Sequence, residues 1–262
     1  MRMKNMKKSF FFSIIVCLFS LFAGEKAVYA QTPDEDWAQA NELYAAGNYA
    51  DAEQLYKNIE QSGYLSAALY YNLGNTYFRQ QSWGKAILYY ERALKLHPED
   101  KDISHNLELS NAMIVDRLES VPEFFLTTWI RHIHSIAEVD TWALCSIVFF
   151  AVCLLLALLF FFARSIALRK FSFFLAIFVL FCCGSSVLFA YYQKQDLLDR
   201  SKAIVMPAVV TIKSSPDNSG KDLFILHEGT KVTLLENLGQ WQRIQLADGR
   251  QGWLMGRMVE GI

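Results

Sequence analysis

Four patterns of hydrophobic and polar positions follow one another along the chain. A basic start (Arg2, Lys4, Lys7, Lys8) precedes an apolar stretch over 10–23 and the step Val28-Tyr29-Ala30 before Gln31. That order of charged, apolar and small-residue regions predicts a secretory signal peptide over residues 1–30. Residues 31–120 carry apolar positions at helical spacing, with alanines and aromatics repeating together. Two uncharged apolar runs follow, at 142–163 and 171–192, each about the twenty residues needed to cross a hydrocarbon core. From about residue 203 the pattern switches to short alternating runs separated by turn residues, which predicts strands.

The apolar runs predict transmembrane helices at 141–163 and 171–192, joined by a loop at 164–170. Arg164, Arg169 and Lys170 make that loop basic, as a cytoplasmic turn is. An exported first segment followed by two spans puts both soluble parts on the outer side of a bacterial inner membrane, in the periplasm. Trp142, Tyr191 and Tyr192 stand at the run ends, where an aromatic ring keeps one side apolar and one wet. Residues 121–140 mix Phe124, Phe125, Trp129, Ile130, Ile133 and Ile136 with Arg131, His132 and His134, the make-up of an interfacial amphipathic helix. Residues 193–202 read as a linker.

Within 31–120 a period of 34 residues relates Leu43, Gly47, Tyr49, Ala52 and Tyr56 to Tyr77, Gln81, Trp83, Ala86 and Tyr90. The second copy runs from Tyr70-Tyr71-Asn72-Leu73-Gly74-Asn75 through Trp83-Gly84-Lys85-Ala86 to Pro98, and it resembles the tetratricopeptide repeat. Small residues at Ala40, Gly74, Ala52, Ala86 and Ala93 let antiparallel helices approach, and Pro98 stops the last of them. Residues from Lys101 to about 118 read as the capping helix such a stack requires. The resemblance implies a concave surface that holds an extended peptide through asparagines. The matching positions are Asn41, Asn72, Asn75 and Asn106, beside Tyr44, Tyr71 and Phe78, with Arg79 as a cation for a carboxylate.

In the last sixty residues, strands are expected at 209–212, 231–235, 241–246 and 252–254, with Asp248-Gly249 as a two-residue hairpin turn. The order Pro216, Gly229-Thr230, Gly239-Gln240-Trp241, Asp248-Gly249-Arg250 and Gly252-Trp253 resembles the bacterial SH3 domain, a small all-β barrel, over 203–262. Alternation turns Ile244 and Leu246 inward and Trp241 and Arg243 outward, making the latter two the candidate ligand contacts. Methionines stand where that family has its groove proline and tyrosine, so the polyproline-reading role is not expected.

Composition then narrows the function classes. A formal net charge of -1 excludes the basic footprint of a nucleic-acid binder. All five cysteines lie in apolar runs, not in a disulfide or metal framework. His132 and His134 are two apart, off a common helix face, so no metal is expected. No phosphate loop, zinc-protease motif or serine elbow occurs, and neither an enzyme nor a cofactor is expected. The fold class is a multi-domain membrane protein: an all-α tetratricopeptide stack, a two-helix transmembrane hairpin and a small SH3-like barrel. Together these parts resemble the BatE family of the Bacteroides aerotolerance operon. That resemblance implies a scaffold in an aerotolerance or envelope-stress complex, with von Willebrand factor A-type membrane proteins and other operon products as partners. Peptidoglycan recognition by the barrel, as an envelope sensor or anchor, is the alternative.

Overall fold

Asn48 and Ser82 stand 34 residues apart, and each follows a residue with left-handed backbone that ends a helix. At the first, Gly47 (φ 82°) separates α1 (Asp34–Ala45) from α2 (Tyr49–Gln61). At the second, Gln81 (φ 61°) separates α3 (Ala67–Arg79) from α4 (Trp83–Leu96). The same pair of bonds closes both turns: Asn48 N–H to Leu43 O and Gly47 N–H to Tyr44 O, then Ser82 N–H to Tyr77 O and Gln81 N–H to Phe78 O. This is the Schellman arrangement, whose left-handed position favours glycine. Gln81 carries a Cβ there, at a cost of about 1–2 kcal/mol. Gln81→Gly is therefore expected to raise stability by about 0.5–1 kcal/mol after the extra chain entropy of glycine, read as a higher urea midpoint at unchanged slope. A fifth helix, α5 (Lys101–Met113), completes the stack, with Asp100 accepting from the backbone N–H groups of Asp102 and Ile103.

The structure is a computed structural model that describes residues 34–116 and 139–262, with single positions at 133 and 137. The expected signal peptide, Cys17, His132 and His134 lie outside the described residues.

Helix α6 (Val139–Phe162) spans 24 residues and α7 (Ile166–Leu198) spans 33, and both are long and apolar enough to cross a membrane. Helix α7 starts earlier and ends later than the run 171–192 suggested, so Arg169 and Lys170 are its fourth and fifth residues instead of standing in a loop. No proline interrupts 166–198, and Gln193, Lys194 and Gln195 are sound helix formers. Ser172, Val179, Ser186 and Gln193 are the buried positions of α7. Their spacing of seven marks the seam that faces α6. Two cysteines also reach across this seam: Cys183 Sγ donates to Ser146 O at 3.4 Å, and Cys153 Sγ lies 3.9 Å from Ala176 O. Phenylalanines such as Phe174, Phe178 and Phe181 cover the outer face.

After α7 the chain forms one antiparallel sheet. Its strands are β1 (Lys202–Val205), β2 (Val209–Lys213), β3 (Asp222–His227), β4 (Lys231–Leu238), β5 (Trp241–Gln245), β6 (Gln251–Met255) and β7 (Val259–Gly261). Their order is β3-β2-β6-β5-β4-β1-β7. Strands β1, β3 and β7 were not expected from the alternation, because β1 is buried along 203–205 and β7 has three residues. Val205, Val210, Ile212, Leu226, Val232, Ile244, Leu246 and Leu254 fill the core. The β5–β6 turn differs from the two-residue type. Gly249 N–H donates to Leu246 O, Leu246 N–H donates to Arg250 O, and only Gly249 (φ 89°) is left-handed. Asp248 keeps an ordinary backbone and instead accepts from Arg250 N–H, so one glycine closing a four-residue turn suffices.

The helical stack and the sheet share a core. Ile204 of β1 is 0% exposed and belongs to the apolar cluster of the helices, together with Ile114, Met206 and Ile262 at its edge. Its neighbours Ala203 and Val205 point the other way, into the sheet's own core. Residues 35–262 accordingly form one compact unit. Arg92 of α4 bonds Glu260 and Gly261 O, Lys231 bonds Glu91, and Lys95 donates to Asp199 O and Ile262 O.

Candidate functional site

Each repeat uses one asparagine to hold one tyrosine. Tyr56 donates to Asn41 Oδ1 at 2.6 Å, and Tyr90, 34 residues on, donates to Asn75 Oδ1 at 2.7 Å. Burial raises the pKa of Tyr56 to about 12, with the Tyr44 hydroxyl adding to it, and burial with Tyr71 and Tyr44 holds that of Tyr90 well above the usual phenol value. Both phenols therefore stay protonated at neutral pH and act as donors. Asn72 Nδ2 reaches Asn41 Oδ1 at 3.4 Å, while Asn106 Nδ2 donates to Asn75 Oδ1 and to Tyr71 Oη, both at 3.0 Å. A ladder of amides thus runs from α1 across α3 to α5 along the inner side of the stack.

Above that ladder lies a cavity of about 350 Å³ lined by Tyr44, Tyr71, Asn75, Phe78, Arg79, Tyr90 and Asn106. Six of the eight residues expected on the concave surface converge here. Asn41 and Asn72 do not line it; they bond each other and Tyr56 next door. Tyr90 lines it although its aromatic position reads as a gap filler in the sequence. The signal that finds it is the fixed offset of fifteen residues shared by Asn41–Tyr56 and Asn75–Tyr90.

The donor inventory decides what the cavity offers. Both lone pairs of Asn75 Oδ1 are taken, so its amide presents donors. Tyr71 Oη accepts from Asn106 and keeps its own proton to give. Arg79 is exposed, and its hydrogen bond to the Tyr44 hydroxyl raises its pKa further. The Phe78 ring, edge-on to Trp83 at 5.2 Å, supplies an apolar wall. Donors and a fixed cation beside an aromatic wall suit a chain segment rich in carbonyl or carboxylate oxygen.

Residues 38–101 match the family model of the tetratricopeptide repeat. The match covers α2, α3 and α4 whole, and the cavity opens within it, except for Asn106 on α5. The tetratricopeptide repeat is a scaffold-type unit, generally non-catalytic, and it implies protein partners for this chain. Comparison of the chain with curated proteins gave no match.

On the sheet, Gln242 and Ile244 are buried, and Trp241, Arg243 and Gln245 are half-buried on the other face. Trp241 pairs with Met255 and Arg243 with Trp253 across β5 and β6. Arg243 is engaged locally, by Gln251 at 2.9 Å and Glu236 at 3.6 Å. Among the described residues no three His, Cys, Asp or Glu side chains converge as a metal site would need.

Proposed function

We propose that this protein is a membrane-anchored adaptor whose tetratricopeptide groove holds an extended peptide segment of a partner protein through Asn75, Asn106, Tyr44, Tyr71, Phe78 and Arg79. The cavity with its committed amides and single exposed cation carries this reading. Arg79 takes a carboxylate of the segment, and the Asn75 amide and Tyr71 hydroxyl take main-chain carbonyls. Asn41 and Asn72 extend the same polar track toward α1.

Helices α6 and α7 anchor the adaptor in a bacterial inner membrane, with both soluble modules on the periplasmic side. The basic residues at 164–170 and the signal-like start support that sidedness. The sheet is SH3-like, and the whole arrangement fits an envelope-stress assembly of the aerotolerance type, with von Willebrand factor A-type membrane proteins as partners. The outward pair of Trp241 and Trp253 beside Arg243 favours a second reading, peptidoglycan recognition by the sheet.

The test uses the full chain in nanodiscs and fluorescein-labelled peptides with a free or an amidated C-terminal carboxylate. Tighter binding of the free form is expected, and Arg79→Gln should weaken that form about tenfold, the loss of one charge-assisted pair, with melting unchanged because Arg79 is exposed. Equal binding of both forms by the native chain would overturn the groove reading and direct attention to sacculus binding through Trp241. Asn75→Ala is no substitute for Arg79→Gln. It strips Tyr90 of its acceptor and is expected to lower stability by about 1–3 kcal/mol, measured by denaturant unfolding.

A further inference from the structure

Three observations place the β4–β5 hairpin beside the end of α7. Strand β1 starts four residues after Leu198, the last residue of α7. It pairs antiparallel with β4 in the register Lys202↔Thr233 and Ile204↔Lys231, and Leu234 N–H donates to Ser201 O. The rest of β4, up to Leu238, therefore runs back past the start of β1, toward the side from which the chain arrives. At about 3.4 Å per residue that overhang is about 17 Å long.

The overhang is apolar where water would otherwise be faced. Leu235 is 46% exposed and Leu238 is 54% exposed, and Leu198 at the end of α7 is 62% exposed. Pairing of Leu234 with Ile244 and of Glu236 with Arg243 leaves Leu235 as the extra residue of a β-bulge, a device that re-aims a side chain. Trp241 lies across from Leu238. Exposed Lys194, Arg200, Lys202 and Arg257 stand around this end, and Glu236 is held by Arg243. Among the described residues Asp196 and, at the start of α6, Asp140 are further exposed acids at this end. Leucines and an amphipathic ring encircled by cations match the boundary between anionic headgroups and acyl chains.

We propose that the β4–β5 hairpin is a foot by which the sheet rests on the lipid surface, Leu235 and Leu238 entering the headgroup–acyl boundary with Trp241 behind them. The proposal rests on the reading of α6 and α7 as membrane spans. Its occupant is lipid because the tether of three residues, Asp199 to Ser201, keeps this end of the sheet at the membrane that α7 leaves.

The experiment uses the full chain in proteoliposomes of zwitterionic and anionic phospholipid, with p-benzoyl-phenylalanine introduced singly in place of Leu238, Ile225 or Phe178. Ile225 is as exposed as Leu238, at 54%, but lies on the edge strand β3; Phe178 is on the outer face of α7. After irradiation, lipid adducts detected by mass spectrometry at 238 and 178, with at least several-fold fewer at 225, are the expected result. Adducts at 178 without adducts at 238 would overturn the foot and leave the spans standing. A protein adduct in place of lipid at 238 would overturn it in favour of a protein partner. Absence of adducts at 178 as well would overturn the spanning reading, and the foot with it.

Discussion

Gly74→Leu is expected to unfold the helical stack, with a loss of about 3 kcal/mol or more. A Cβ at Gly74 alone would lie 2.6 Å from Cδ1 and Cε1 of Tyr90. That ring has no room to swing, because it is buried and its hydroxyl is tied to Asn75, which in turn holds Asn106. Three helices therefore feel one substitution. Overpacking costs about 1–3 kcal/mol in an ordinary core, and here it also breaks a buried hydrogen bond worth about 1 kcal/mol. Leucine's better helix propensity returns less than about 1 kcal/mol. The matching position in the first repeat is Ala40, itself fully buried. Gly74→Ala brings the same clashing Cβ without leucine's further carbons, so it should also destabilise, by less than Gly74→Leu, and the two variants form a graded pair. Circular dichroism melts of the full chain in detergent check both. Equal melting of the Leu and native chains would mean that α3 and α4 do not meet at this register.

The second large effect is expected at the junction of stack and sheet. Asp116, just past α5, accepts from His227 N–H at 2.6 Å, from His227 Nδ1 at 2.9 Å and from Thr230 Oγ1 at 2.8 Å. Gly229 lies between those partners with φ 82°, and a Cβ there would meet Ile114 Cγ2 at 2.6 Å and Ile87 Cδ1 at 3.0 Å. On the helix side Gly84 approaches the same turn, its would-be Cβ 3.2 Å from Gly229 N. Gly229→Val combines a β-branched residue in a left-handed position with overpacking, about 3 kcal/mol or more together. Asp116→Ala leaves the two His227 donors without their acceptor, while the Thr230 hydroxyl retains His227 O at 2.8 Å, and should cost about 2–3 kcal/mol. Hydrogen exchange reads both directly: protection of the His227 amide should fall steeply while that of β5 and β6 stays. Unchanged protection at His227 would show that the clasp does not hold the turn.

This clasp also sets a pH dependence. Burial by itself raises the Asp116 pKa, but the hydrogen bonds from the His227 ring and backbone and from Thr230 outweigh it and hold the carboxyl below its usual value. A depressed folded-state pKa means that the stabilisation is present above the unfolded value and is lost as pH falls through the folded one. The junction is therefore expected to hold at neutral pH and to loosen below about pH 4, with the same His227 amide as reporter and Asp116→Asn removing the dependence.

Much of the helical half was legible in the residues. The 34-residue period, the small residues at Ala40, Gly74, Ala52 and Ala86, and Pro98 are local signals, because helix spacing and helix ends depend on neighbours a few positions away. The same holds for the two apolar helices, whose existence follows from composition, although their ends did not, since polar helix formers carried α7 past its apolar run. Six of the concave-surface residues were also found by their repeat positions.

What the tertiary structure decided depends on partners far along the chain. Tyr90 joined the cavity and Asn75 lost its acceptor capacity because a tyrosine fifteen residues away and Asn106, thirty-one residues away, both donate to it, pairings that side-chain type alone does not specify. Strand β1 escaped the alternating pattern because it is covered on both sides, Ile204 by the helices and Ala203 and Val205 by the sheet. Period two marks a strand only when one face meets water. The fusion of stack and sheet rests on Asp116 meeting His227 and Thr230 more than a hundred residues later. The sequence by itself thus determined the modules and their helical register, since these come from local periodicity; burial across the junction, summed over distant residues, made them one body.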